Sequence, residues 1–164
     1  MFVGSRTTNK RQDECSFKSE LLMDESSELS ATGSYSIILS FRLFKECPEA
    51  KTLFGFPIDI DTDSAELLES KRFIMHSSYL IQMLDSALNM LGPDIEMLTE
   101  IMTDLGKKHV AYMVTPEMYP IFGESLLHAI ATLLGDQFTD VTQQAWQEVY
   151  NDLTADMIRS YQDK

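Results

Sequence analysis

Helix breakers are scarce in this chain. Glycine and proline number 7 and 5 in 164 residues, where average usage would give roughly 20 for the pair. So few breakers argue against short, turn-rich elements and for long ones, and the wealth of Leu, Met, Ala, Glu and Gln makes those elements helices. Cysteine is rarer still. Cys15 and Cys47 form neither a disulfide framework nor a zinc site, and a reducing, cytoplasmic setting is the expectation. Positive charge is in deficit, with 13 Lys and Arg against 26 Asp and Glu for a net charge of −13. That surface repels polyanions, which argues against nucleic acid and anionic membranes as partners. Long apolar runs are missing as well: the stretch Leu126 to Leu134 is interrupted by His128 and Thr132 and is far short of a membrane-spanning helix. The N-terminus has no apolar signal-peptide core, and residues 1–15 read as a disordered tail ahead of one domain over 16–164.

What is present is apolar patterning, with 44% hydrophobic and 24% charged residues, a balance suited to a folded domain. Residues 16–31 hold only Phe17, Leu21, Leu22 and Leu29 as the makings of a weak helix. From Tyr35 onward Ile37, Ile38, Phe41 and Phe44 fall at helical spacing. Pro48 ends that helix and opens a short one running to Phe54. A loop, GFPIDIDTDS, follows, and Asp63 with Glu66 predicts a capping-box start for a long helix to about Leu91. Gly92-Pro93 stops it. A helix from Asp94 to about His109 comes next, then one opened by Thr115-Pro116-Glu117 and closed at Gly135. The last, from about Asp140 to Tyr161, sets Val141, Ala145, Val149, Leu153 and Met157 four apart. The expectation is an all-α domain of six or seven helices.

Two of the apolar stripes carry an imidazole. One reads Phe73, His76, Leu80, Met83, Ala87; the next reads Leu98, Ile101, Leu105, His109. A buried imidazole requires a partner, because an unpaired polar group in an apolar setting costs a few kcal/mol. Hydrogen bonds, a protein-bound metal or a metal-bearing cofactor could each supply it. A protein-only metal site wants three or four ligands. His128 is the third histidine, read as structural or surface, and neither cysteine stands at ligand spacing. A haem needs only one or two axial ligands and an apolar slot.

Several segments, in order, resemble the globin family. FRLFKECPEAKTLF (Phe41 to Phe54) resembles its B–C region, LGKKHVAYMV (Leu105 to Val114) the end of its proximal helix in the neuroglobin type, and GESLLHAI and AWQEVY its last two helices. The resemblance spans roughly 36–161. It implies a globin fold of six to eight helices around a pocket for haem b, with the first family helix weak or atypical. By position it implies His109 as the proximal iron ligand, His76 as the distal histidine, 33 residues apart, and Phe54 against the haem face. Leu80 matches the apolar residue above the iron, Leu105 one beneath the haem, and Val114 and Tyr119 residues lining the pocket beyond the proximal helix. Tyr79 falls where the family often has a polar group near the haem propionates. The chain departs from the pattern in two places. Ser40 replaces a large apolar residue of the distal side, leaving it roomier unless Phe41 fills the space, and the sole tryptophan is Trp146 rather than one in a first helix.

The function implied is reversible binding of a diatomic gas (O₂, NO or CO), for oxygen transport, storage or sensing, by a monomer or weak dimer. His76 either donates a hydrogen bond to the gas or occupies the iron itself. The enzymatic alternative, conversion of NO and O₂ to nitrate, would require a separate reductase, since no glycine-rich dinucleotide loop is present. A haemless helical interaction domain is the third reading, and the two core-facing imidazoles speak against it.

Overall fold

Helix ends fall where the breakers stand. The computed structural model describes residues 25–90 and 94–162, with side chains described from Ser34 onward. Every regular element among the described residues is helical: α1 Glu25–Glu46, α2 Ala50–Leu53, α3 Ala65–Leu68, α4 Lys71–Met90, α5 Ile95–Ala111, α6 Met118–Leu134, a 3₁₀ turn Gly135–Gln137 and α7 Asp140–Arg159. None of these helices is long and apolar enough to cross a membrane. Pro48 separates α1 from α2, Asp94 is the residue before α5, and Gly135 closes α6. Thr139 caps α7, its hydroxyl accepting from the Thr142 N–H at 3.3 Å. The tail expected over 1–15, with Cys15, lies outside the described residues, as does the part of the weak helix before residue 25. Residues 25–31 are the opening turns of α1 rather than a helix of their own.

Two starts differ from expectation. The long helix foreseen from Asp63 is broken into α3 and α4. Asp63 does not cap it: its N–H donates to the Asp61 carboxylate at 3.1 Å, and the residue before α3 is Ser64. Ser70 then interrupts the chain, its hydroxyl accepting from the Phe73 N–H at 3.3 Å and so capping α4 afresh. Thr115 opens a turn instead of a helix. Its carbonyl accepts from Met118 N–H at 3.0 Å, and α6 starts at Met118.

Helix faces also shift from the apolar count. On α1 the buried set is Tyr35, Ser36, Leu39, Ser40, Leu43 and Phe44, while Ile37 and Phe41 are exposed. This face packs against α6 and α4, and serines let helices approach more closely than Ile or Phe would. On α5 the buried line is Leu98, Met102 and Gly106, with Ile101 outside it. On α7 it runs through Trp146, Val149, Tyr150, Leu153, Thr154 and Met157, and Val141 is exposed. The most extensive helix contact is between α5 and α7. A Cβ on Gly106 would lie 2.3 Å from the Met157 carbonyl oxygen and 2.7 Å from its Cα, so only glycine allows that approach. The Ser160 hydroxyl, donating to the Thr103 carbonyl at 2.8 Å, ties the same two helices together.

Candidate functional site

The site is built on α4 and α5, which carry His76 and His109. Their imidazoles face one another with ring centroids 6.4 Å apart and planes at 60°. Both side chains are half-buried, at the border of the stripes rather than within them. The buried line of α4 is instead Phe73, Ser77, Leu84 and Ala87.

His109 has a defined tautomer. Its Nδ1 lies 2.9 Å from the Leu105 carbonyl one turn earlier. A carbonyl can only accept, so Nδ1 carries a hydrogen, and in the neutral ring Nε2 is the nitrogen with the lone pair. Such an outer hydrogen bond is what fixes the orientation of a metal-ligating histidine. The ring is flanked by Tyr119 at 6.2 Å and Tyr112 at 6.4 Å. Tyr161 Oη donates to the Val114 carbonyl at 2.8 Å, so the Tyr119 hydroxyl, 3.2 Å away, donates to Tyr161. The Val114 N–H in turn donates to the His109 carbonyl at 3.1 Å. Tyr150 donates to the Tyr119 carbonyl at 2.8 Å. Burial, then the neighbouring Tyr161 hydroxyl, pushes the Tyr119 phenol well above its ordinary pKa, which keeps it a neutral donor.

His76 has an apolar setting. Phe54 meets it edge-on at 5.5 Å and Phe122 at 6.3 Å. Phe54 is itself fixed by Phe44 at 5.7 Å and Phe73 at 4.9 Å. Burial, and secondarily the His109 imidazole, lowers the His76 pKa to about 4, so at neutral pH it is uncharged and can donate a hydrogen bond or a lone pair.

The structure brings together Phe54, His76, His109 and Tyr119, with Leu80, Leu105 and Val114 half-buried against the core. Tyr79 is 61% exposed, on the outer side of α4. Phe41 does not fill the space beside Ser40, for its ring is exposed under the Lys45 ammonium at 6.0 Å. Ser40 is wholly buried, its hydroxyl donating to the Ile37 carbonyl at 3.0 Å. Phe122 was missed from sequence, although it stands three residues after Tyr119 on the same helix, a spacing that shares a face. His128 is exposed, as expected of a surface residue. Cys47 is buried, and burial raises its thiol pKa.

Among the described residues no group of three or more His, Cys, Asp or Glu could hold a metal ion. Two facing imidazoles walled by phenylalanines, with no further ligands beside them, suit a cofactor that brings its own metal better than a protein-only metal site. Comparison with known proteins agrees. The globin family model matches residues 39–157. Neuroglobins of Tetraodon nigroviridis and Danio rerio are each 32% identical over 127 residues, covering 77% of this chain and 79% of the relative. A flavohemoprotein of Rhizobium meliloti is 34% identical over 125 residues, 75% of this chain but 28% of its own. A Drosophila melanogaster globin structure shares the fold, with TM-score 0.73, 19% identity and 93% of each chain covered. The chain belongs to the globin family, and with it to the haem-binding proteins that take diatomic gases.

Proposed function

We propose that His109 holds the iron of a haem b through Nε2 and that His76 competes with a diatomic gas for the opposite face. A haem held here would supply an iron with reversible affinity for such gases. The observation that carries the reading is the 6.4 Å separation of the two ring centroids. A metal–nitrogen bond of about 2.0 Å and roughly 1.1 Å from nitrogen to ring centre, counted on both sides, would come to about 6.2 Å.

The chain's own residues divide the work. Leu105 orients the His109 ring through its carbonyl, and Tyr161, through Val114, anchors the segment that follows. Phe54 and Phe122 exclude water around His76 and keep it neutral. With His76 in place an external gas would have to displace it, and affinity would fall by the fraction of time the position is closed. With His76 swung aside its N–H can stabilise a partly negative gas ligand by roughly 1.5–3 kcal/mol. Val114 and Leu80 complete the lining, and Tyr79, exposed on α4, would be the polar group for a haem carboxylate.

Absorption spectra of the haem-loaded protein, ferric and dithionite-reduced without gas, test this. Sharp, split ferrous bands are expected, collapsing to one broad band in His76→Leu with faster gas binding. A broad band in the parent protein, unchanged by His76→Leu, would overturn the role of His76. A redox reading, NO and O₂ to nitrate with a separate reductase, is favoured by the flavohemoprotein match, whose name pairs a haem with a flavin. Multi-turnover NO consumption with added reductant distinguishes it from plain gas binding.

A further inference from the structure

The corner that carries Phe54 is built from residue types that gas binding does not by itself require. Lys51 is a buried cation on α2, and its ammonium donates forward along the chain to the carbonyls of Ile60 at 2.9 Å and Ile58 at 3.5 Å. The Phe56 N–H closes the same loop onto the Lys51 carbonyl at 3.1 Å. Residues 51–60 thus form a self-tied strap. One side chain of α4 then fastens this strap from outside. Arg72 Nη1 donates to the Phe54 carbonyl at 3.2 Å. Gly55, the next residue, has φ +85°, and a Cβ there would lie 2.7 Å from that same Nη1. The positive φ favours glycine, and the missing Cβ leaves room for the guanidinium, which any larger residue would displace.

Arg72 stands four residues before His76 on α4, one turn away on the same side of the helix. Phe54 is consequently gripped by α4 at two points, its carbonyl by Arg72 and its ring edge-on by His76. We infer that Arg72 is a positioning residue: its bond to the Phe54 carbonyl latches α4 to the 51–60 strap and holds His76 at the spacing that opposes His109. The inference rests on the reading that His76 competes for the iron. Releasing the latch lets α4 shift against the corner, so His76 spends less time in place and an external gas enters more readily. The bond is solvent-exposed, so water replaces part of it, and the expected effect is roughly two- to fivefold in the occupancy of the His76 position.

The test compares haem-loaded parent protein, Arg72→Met, Arg72→Lys, His76→Leu and the double variant R72M/H76L. The readouts are the reduced visible spectrum, CO binding after flash photolysis, and amide hydrogen exchange over residues 54–60. Arg72→Met should weaken the split ferrous bands, speed CO binding two- to fivefold and raise exchange over the strap. Arg72→Lys should recover part of each. In the His76→Leu background Arg72→Met should leave CO binding unchanged, because the latch acts through His76. An Arg72→Met protein with parental spectrum and CO rates, beside a His76→Leu protein that differs from the parent, removes the latch and leaves the role of His76 standing. An equal effect of Arg72→Met with and without His76 also overturns it. If His76→Leu itself changes nothing, both fall together. Should Arg72→Met not take up haem, Gly55→Asn serves instead: asparagine tolerates positive φ, and its Cβ displaces the guanidinium.

Discussion

At the scale of single residues, His76 and Ser77 illustrate opposite fates of a polar group taken out of water. His76 stays neutral because burial lowers its pKa from 6.5 to about 4. In the protein prepared without haem, the unfolded chain therefore takes up this proton first. Stability is intact above about pH 6.5 and is lost as the pH falls from there towards 4, by at most about 3 kcal/mol. Urea unfolding at pH 7 and pH 5 measures the loss, and His76→Leu should cancel the part due to this residue; an equal loss in the variant would assign it elsewhere. Ser77, wholly buried on the next position of α4, has no hydrogen-bond partner for its hydroxyl among the described residues, and Ser36 on α1 is in the same condition. An unpaired buried hydroxyl costs about 1–3 kcal/mol. Ser77→Ala should accordingly raise stability by about 1 kcal/mol, seen as a higher urea midpoint with unchanged slope. A lower midpoint would mean that the hydroxyl has a partner in solution.

At the scale of elements, the two walls of the site are held very differently. The proximal helix α5 is locked to α7 by the Gly106 approach and by the Ser160–Thr103 bond, and its C-terminal turn is followed by the Tyr161–Val114 bond. The distal helix α4 meets α5 more sparingly and is fastened at its start by Arg72. Such an arrangement fits the proposed function, in which His109 would be the fixed ligand and His76 the one that withdraws. Gly106→Ala sets a helix-propensity gain of about 1 kcal/mol against a clash with backbone that cannot rotate away, which costs about 1–3 kcal/mol. The clash prevails because the Met157 carbonyl would be only 2.3 Å away. The expected result is a lower Tm and faster loss of haem to an acceptor protein, since α5 must move and His109 with it. A variant of parental Tm and parental haem retention would show that α5 and α7 can part without cost.

At the scale of the whole molecule, a net charge of −13 means that folding gathers like charges together. The local pairs Lys107–Asp104 and Arg159–Asp156, each at 2.8 Å, relieve little of this because their cations are largely exposed. Sodium chloride at ~0.5 M shortens the screening length to about 4 Å. Screening the repulsion should then raise Tm by about 2–4 °C at pH 7, corresponding to roughly 1 kcal/mol. A flat or falling Tm would mean that attractive pairs outweigh the net repulsion.

Much of this was legible in the chain itself. The order of the helices, the breaks at Pro48 and Gly135, and the placing of His76 and His109 on neighbouring helices follow from local rules: proline removes a donor, glycine ends a helix, and helical period aligns residues three and four apart. The resemblance to globins, rather than any local rule, marked Phe54 and Tyr119, which the structure sets against the two imidazoles. Other features are properties of pairs of elements. Which face of α1 is buried was decided by how closely α4 and α6 approach, and that favoured Ser36 and Ser40 over Ile37 and Phe41. The break at Ser70 depends on one hydroxyl reaching the Phe73 N–H. Gly106 scores nothing in an apolar count, yet it sets the contact of α5 with α7. The local pattern therefore determined the helices and the residues able to carry the chemistry. Only tertiary packing decided the 6.4 Å opposition of the imidazoles and the latch beside them, because a distance between two helices depends on the shape of everything packed between them.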